Sequence, residues 1–212
     1  MRHRTTTPAR AALLVLLLTA TSATGAPDSA ELIARLAREP PTTVAFVEVR
    51  FSSLLVEPLV VGGELDYESG KTLRRRVETP YRETTTISGD TVRVERDGES
   101  RTLALRRAPE LRGLLMGMVG LLGGDAAFLN QHFAITAIGD EATWQLDLAP
   151  TDDRVRQRLR AITATGIAVE PRCFVIHDTQ GGASVMLLGA AAARSLPQPV
   201  ALAELLASCS AE

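Results

Sequence analysis

The sequence predicts one domain made mainly of antiparallel β-strands, with an apolar helical segment inserted between two series of strands. Short stretches in which apolar and polar residues alternate recur along the chain. Turn residues such as Asp97-Gly98 separate these stretches at near-regular spacing, which is typical of an antiparallel meander. The apolar segment 114–124, LLMGMVGLLGG, interrupts the series. The 212 residues suffice for one domain of good size.

The first 26 residues indicate a secretory signal peptide. Arg2, Arg4 and Arg10 form a positive region, and the apolar stretch 11–18 follows them. This stretch is too short to span a membrane, and small residues follow it. We expect cleavage near residues 23–26 and an exported mature domain; the alternative is an uncleaved anchor. Residues 27–212 form the predicted domain.

Period-two alternation and turn residues define the elements in order. A short amphipathic helix over residues 29–38 comes first and ends before Pro40 and Pro41. Six predicted strands follow, at residues 44–51, 59–67, 73–77, 81–87, 91–96 and 101–105. Strands resume after the insert, at residues 133–138, 144–148, 172–177 and 183–188. Residues 154–165 fit a helix and a strand equally. Such a sheet must close into a barrel, fold into a sandwich or cover its inner face.

The insert is predicted to be helical over residues 109–130, although it is rich in glycine. Four of its glycines recur at helical spacing, at positions Gly113, Gly117, Gly120 and Gly123. Each glycine costs a helix about 1 kcal/mol relative to alanine. Two explanations fit this pattern: a loosely folded cover that moves, or close packing of the helix on the sheet.

The charge balance excludes one class of partner. Removing residues 1–26 takes away three of the 23 basic residues and none of the 25 acidic ones, which leaves a net charge of −5. Nucleic-acid binding requires a basic surface, so we expect no nucleic-acid partner. The mature chain also lacks a polybasic patch that would attract an anionic membrane.

The two cysteines, Cys173 and Cys209, are both in the mature chain. In an oxidising compartment an even pair predicts one disulfide, which would tie the C-terminal tail to a strand. Two free thiols are the alternative.

Residues that carry chemistry are sparse. The mature chain has two histidines and no sequence motif of a hydrolase, metalloprotease, phosphate loop or calcium loop. His177, Asp178 and Ser184 lie on one hairpin, in a geometry unsuited to a catalytic triad. The sequence therefore predicts no enzyme, no catalytic residue, no metal site and no cofactor. An apolar cavity for a small molecule is the kind of site that remains.

Arg75 has an unusual position in the run 74–76. It shares a strand face with Leu73 and Val77, so it is predicted to point inwards. A buried arginine needs partners, and contact with a lipid headgroup is the alternative to an internal partner.

Several stretches, taken in order, resemble one known family. They are TTVAFVEVRF, GELDYESGKTLRRRVETP, ISGDTVRVERDGES, APELRGLLMGMVGLLGGDAAFLNQHFAI and WQLDLAP, within about residues 28–189. This arrangement resembles the LolA family of periplasmic carriers of outer-membrane lipoproteins, and more closely its divergent members. The resemblance implies an unclosed antiparallel β-barrel covered by a helical lid, with lipoprotein acyl chains inside. It also implies loading by an inner-membrane exporter and delivery to an outer-membrane acceptor.

The sequence departs from the typical carrier at one functional position. In the typical carrier, an arginine just before a turn proline holds the lid closed. The matching stretch 68–71, ESGK, has neither residue. Arg74 and Arg75 are the candidates to replace that arginine.

The resulting hypothesis is a monomeric periplasmic carrier that binds a lipoprotein by its acyl chains. The candidate wall residues of its cavity are Val47, Val49, Phe51, Leu65, Leu73, Val92, Leu103, Trp144 and Leu146. The candidate lid residues are Leu114, Leu115, Met116, Met118, Leu121 and Leu122. Two alternatives remain: the cargo is a free lipid, such as a glycolipid or a polyene-type lipid, or the protein is a lipid-sensing interaction module.

Overall fold

A computed structural model describes residues 27–68, 72–107 and 109–210, with no side-chain detail at residues 109–111, 114 and 210. The predicted signal peptide and residues 69–71 of the stretch ESGK lie outside the described residues. The strands within them are β1 Thr42–Phe51, β2 Leu59–Glu68, β3 Thr72–Thr79, β4 Glu83–Ser88, β5 Thr91–Arg96, β6 Glu99–Ala104, β7 Phe133–Gly139, β8 Thr143–Pro150, β9 Leu159–Ile167, β10 Glu170–Asp178 and β11 Ala183–Leu188. The α-helices are α1 Ser29–Arg35, α2 Pro109–Leu122, α3 Ala126–Asn130, α4 Asp153–Arg156 and α5 Leu202–Ser210.

All these strands belong to one antiparallel sheet, in the order β6-β5-β4-β3-β2-β1-β11-β10-β9-β8-β7. Each strand pairs with its neighbour in sequence, except that β1 pairs with β11 and so joins the two series. Strands β6 and β7 are the two edges, and in the described part of the chain they do not pair. The fold is therefore mainly β and antiparallel, as the sequence predicted, and the sheet is unclosed, as the family resemblance implied.

A bulge lies between β2 and β3. Their register shifts between Gly62 and Gly63. A Cβ atom at Gly63 would overlap the carbonyl oxygen of Arg76, so the close approach of the two backbones requires glycine here.

The ambiguous stretch 154–165 contains both a helix and a strand. The Asp152 side chain accepts hydrogen bonds from the Arg154 and Val155 amides (2.8 and 3.2 Å), which caps α4. From Leu159 the chain pairs with β8 and β10 as β9. The pairing with β8 and β10 makes the second part of this stretch a strand, which the spacing of its apolar residues alone did not decide.

Helices α1, α2 and α3 cover the inner face of the curved sheet. Leu32, Ile33 and Leu36 from α1 and its C-terminal end are buried in the same core as the inner strand residues. The predicted helix over 109–130 breaks after Leu122, because Gly124 has a φ of +62° and Asp125 caps a new helix. The Asp125 carboxylate accepts the Phe128 amide hydrogen at 2.8 Å.

Close packing accounts for the glycines of α2. A Cβ atom at Gly113 would lie 2.6 Å from Leu159 Cδ2, and one at Gly120 would lie 2.5 Å from Leu129 Cγ. At Gly117 the nearest atom would be Ile162 Cδ1, at 3.1 Å. The glycines therefore let α2 approach β9 and α3, which is the packing explanation of the pattern.

A second core lies on the outer face of the sheet, beneath α5. It contains Val49, Val185 and Leu205 together with the buried pair Cys173 and Cys209. These cysteines form a disulfide with a Cα–Cα distance of 5.6 Å, which confirms the predicted bond. The sheet around β1 and β11 is thus covered on both faces.

We predict that replacing both cysteines by serine lowers the free energy of unfolding by about 3–4 kcal/mol. The bond closes a loop of 36 residues, and a cross-link of that length restricts the unfolded chain by about this amount. Urea unfolding under oxidising conditions measures the difference. Adding reductant to the wild type should reproduce it, and equal stability of all three samples would contradict the prediction.

Alanine substitutions at two glycines of α2 should have unequal effects. Gly120→Ala forces the buried Leu129 side chain to move and should cost about 1–3 kcal/mol of stability. Gly117→Ala meets only the end of Ile162, and the gain in helix propensity offsets that contact, so its change should stay below about 1 kcal/mol. Urea unfolding of the two variants tests the packing explanation, and equal effects would contradict it.

Candidate functional site

An apolar cavity of about 890 Å³ lies between the inner face of the sheet and the helices. Its walls come from the end of α2, the C-terminal end of α1 and alternate residues of several strands. The main apolar residues that line it are Leu36, Val44, Leu65, Tyr67, Met118, Leu121, Leu122, Trp144, Ala164, Ile167, Phe174 and Leu188. Cavities of this size and character are typical of small-molecule and lipid sites.

Trp144 shows how the wall stays apolar although it contains a polar atom. Its indole N–H donates to the Ala168 carbonyl oxygen at 2.8 Å, and the side chain is almost fully buried. Because the hydrogen bond satisfies the only polar atom of the ring, the indole lines the cavity as a hydrocarbon surface.

Charged residues among the lining residues lie near the β9–β10 turn and the end of α1, at one end of the strands. Arg38 joins three elements there. Its guanidinium donates to the Val169 carbonyl oxygen (2.8 Å) and pairs with Glu170 (2.9 Å). Its amide donates to the Leu122 carbonyl oxygen at 2.8 Å. Arg38 therefore connects the segment after α1 to the end of α2 and to the β9–β10 turn.

A buried ionic cluster occupies the inner face towards the other end of β1. Glu48 is buried, with 5% of its side chain exposed. It accepts hydrogen bonds from Arg50 (2.8 and 3.1 Å), from Ser184 (2.5 Å) and from Arg75. Burial alone raises the pKa of Glu48. The Arg50 hydrogen bond, the charge of Arg75 and the Ser184 hydrogen bond outweigh burial, so the pKa lies below its ordinary value.

The two arginines proposed to hold the lid have partners on strands. Arg75 pairs with Glu48, and its guanidinium carbon lies 4.8 Å from the centre of the Phe46 ring. Arg74 pairs with Glu68 at 2.9 Å. The end of α2 is held instead by the backbone of Arg38.

Five of the predicted site residues line the cavity: Leu65, Met118, Leu121, Leu122 and Trp144. Five others belong to the surrounding core or pack against it without lining the cavity, namely Leu73, Val92, Leu115, Met116 and Leu146. Leu103 follows the inner face of the sheet opposite Val92, but it is 45% exposed because β6 is an edge. The side chain of Leu114 lies outside the described residues.

Val47, Val49 and Phe51 lie on the outer face of β1. Val49 is part of the second core, and Phe51 packs against that core. Because side chains alternate along a strand, Val44 and Phe46 point inwards instead, followed by Glu48. The expectation that the three apolar residues line the cavity is therefore corrected.

Several lining residues escaped the sequence analysis. Leu36 belongs to the predicted first helix, and its apolar spacing was the signal that it faces the sheet. Phe174 and Leu188 lie on predicted strands, but the sequence did not indicate which face of those strands lines the cavity. No pattern in the sequence marked Arg38 as part of the site, because its three hydrogen-bond partners are distant in sequence.

The hairpin that carries His177 does not form a catalytic site. Ser184 lies opposite Ile176 and points to the inner face, whereas His177 lies on the other face. Burial and the charge of Arg160 lower the pKa of His177, so the imidazole is neutral at neutral pH. The Asp178 carboxylate accepts the amides of Gln180 and Gly182 and so closes the turn.

In the part of the chain that the structure describes, neither a cluster of metal ligands nor a membrane-spanning helix is found. No group of three or more His, Cys, Asp or Glu side chains there is placed to hold a metal ion. None of its helices has the length and apolar character needed to cross a membrane.

Comparisons with known proteins give a family match. The family model for outer membrane lipoprotein carrier protein LolA-like matches residues 20–209. The LolA superfamily protein NE2245 from Nitrosomonas europaea is 11% identical, with a TM-score of 0.44, over 80% of this chain and 94% of that chain. Lipoprotein LppX from Mycobacterium tuberculosis is 11% identical, with a TM-score of 0.39, over 79% and 98%. A chain of the Pseudomonas aeruginosa MucA/MucB complex is 15% identical, with a TM-score of 0.32, over 85% and 62%. No curated protein matches.

Neutralising Glu48 should destabilise the protein in a pH-dependent way. Glu48→Gln leaves Arg75 buried without its ionic partner, which should cost about 3 kcal/mol at pH 7. Because the folded pKa of Glu48 lies below 4.5, its contribution is present above that pH and is lost as the pH falls through the folded pKa. Urea unfolding of both proteins between pH 7 and pH 3 should show the difference shrinking below pH 4.5.

The control for this prediction is Glu64→Gln. Glu64 pairs with Arg76, and both side chains are about 40% exposed, so its loss should cost less than about 1 kcal/mol. Equal losses for the two variants at pH 7 would contradict the importance of the buried cluster.

Proposed function

The chain belongs to the LolA-like family of outer membrane lipoprotein carriers, and on this premise we propose that it is a periplasmic carrier. In this proposal the cavity holds the acyl chains of a lipoprotein and releases them on the way to the outer membrane. An inner-membrane exporter loads the protein and an outer-membrane acceptor unloads it. The predicted signal peptide, residues 1–26, directs the chain to the periplasm.

The observation that carries the proposal is the apolar cavity of about 890 Å³ between the sheet and α2. Each methylene of an acyl chain that leaves water contributes about 0.8 kcal/mol. About ten buried methylenes therefore supply about 8 kcal/mol, which corresponds to a dissociation constant near 1 μM before the costs of ordering. Binding of that strength is tight enough for transport and weak enough for release.

Charged residues at one end of the cavity fit a cargo with a polar head. Arg38, Glu170 and Arg172 are among the lining residues there. The walls further in are aliphatic and aromatic. An amphipathic molecule would place its acyl chains inside and its headgroup or protein part among these charged residues.

A free lipid is the second candidate cargo. The sequence ESGK at residues 68–71 lacks the arginine that holds the lid in the typical lipoprotein carrier. A carrier whose lid is held differently need not share the typical cargo. The chemistry of the cavity, apolar walls with charges at one end, suits both kinds of molecule.

Lipid uptake tests the carrier proposal. The mature protein, delipidated, should bind an apolar fluorophore, and Leu122→Glu should weaken that binding at least tenfold by placing a charge in the apolar wall. The matched control is Ile138→Glu, because Ile138 is 49% exposed and does not line the cavity. Fluorescence titration of the three proteins measures the effect.

Native mass spectrometry of protein purified from periplasm distinguishes the two cargoes. A co-purifying lipoprotein supports the first candidate and a co-purifying free lipid supports the second. If the wild type carries no lipid and takes up no fluorophore, the carrier proposal is wrong.

A further inference from the structure

The loop between β1 and β2, residues 52–58, presents the most exposed large apolar side chains in the described part of the protein. Leu54 is 91% exposed, Val56 is 104% exposed and Leu55 is 41% exposed. The other exposed aliphatic side chains are 36–49% exposed, which is comparable to Leu55 and far below Leu54 and Val56. We refer to residues 54–56 as the aliphatic tip.

The backbone of the aliphatic tip is held in place by its own loop. The Leu55 amide donates to the Ser52 carbonyl oxygen at 3.0 Å, and the Leu54 amide donates to the Ser52 hydroxyl at 3.2 Å. Before the loop, Phe51 packs against the second core. With these two hydrogen bonds in the loop, the side chains of Leu54 and Val56 extend into solvent.

From this arrangement we propose that the aliphatic tip inserts into the surface of a lipid bilayer. Hydrophobic attraction to a bilayer is non-directional, so a convex protrusion needs no matching groove. The sequence of the tip, LLV, contains no Tyr, Trp or Arg, the residues that dominate binding at protein interfaces. Three aliphatic side chains also fall far short of the roughly 800 Å² that each partner contributes to a stable protein interface.

The loop carries almost no charge, so we expect the contact with the bilayer to be apolar rather than electrostatic. Residues 51–56 carry no charge, and the only charged residue of the loop is Glu57. An acidic neighbour opposes binding to anionic lipids, which attract basic segments. The tip should therefore bind zwitterionic lipid at least as well as anionic lipid, with little dependence on salt.

The aliphatic tip and the cavity lie at opposite ends of β1. Thr42 and Val44, near the start of β1, line the cavity, whereas the tip follows its last residue, Phe51. At roughly 3.3 Å per residue, the ten residues of β1 separate the two ends by about 30 Å. Membrane contact through the tip leaves the cavity end free, and the inference does not depend on what the cavity binds.

Vesicle co-sedimentation of the mature protein tests this inference. The wild type should bind large unilamellar vesicles of phosphatidylcholine, and the double variant Leu54→Ser/Val56→Ser should bind at least tenfold more weakly. Ile138→Ser removes an exposed aliphatic side chain at the cavity end of the sheet and serves as the matched control with unchanged binding. Urea unfolding should show equal stability for the double variant and the wild type, because exposed side chains contribute little.

Three results would overturn the inference. The first is a wild type that fails to sediment with vesicles of any composition, in which case the tip fits a protein partner. The second is equal binding of wild type and double variant. The third is binding that needs phosphatidylglycerol and disappears at high salt. Fluorophore uptake by the double variant should equal that of the wild type, so a failure here is separable from a failure of the carrier proposal.

Discussion

The pairing of β1 with β11 is the contact on which the rest of the structure depends. It joins a series of six strands to a series of five and makes them one curved sheet. Every other strand pairing is local along the chain, whereas this one closes a separation of more than a hundred residues. At the junction both faces are covered, by the inner core on one side and by α5 with its disulfide on the other. The loop-closure entropy of this pairing is offset by burial on two faces at once.

The buried cluster around Glu48 lies at the same junction, on the inner face of the sheet. It links β1 to β3 through Arg75 and to β11 through Ser184. A buried carboxylate with several hydrogen-bond donors is costly to assemble and costly to break, so it favours one register of these strands. The cavity is lined from the other half of β1, by Thr42 and Val44. None of the residues of the Glu48 cluster lines the cavity.

The sequence predicted where most of the strands lie along the chain, because alternation and turn residues are local signals. The sequence did not predict which face of a strand points inwards, because that depends on the elements that pack against the strand. On β1 the polar residues Glu48 and Arg50 follow the inner face and the apolar Val49 follows the outer face, the reverse of the usual pattern. Both faces are buried here, so alternation alone could not say which one meets the cavity. The glycines of α2 were visible in the sequence, but their contacts with Leu129 and Leu159 come from other elements.

Arg38 shows how access to the cavity depends on contacts that are remote in sequence. Its amide bonds the last residue of α2, and its side chain bonds the β9–β10 turn. Displacing α2 from the sheet therefore breaks a backbone hydrogen bond to the α1 segment, unless the two move together. Arg35 adds an ion pair of 2.8 Å to Glu141, in the turn between β7 and β8. Both covers are well packed: α2 approaches the sheet closely through its glycines, and Leu32, Ile33 and Leu36 are almost fully buried. Opening at the Arg38 contacts would expose the charged end of the cavity first, where the headgroup of an amphipathic cargo would lie.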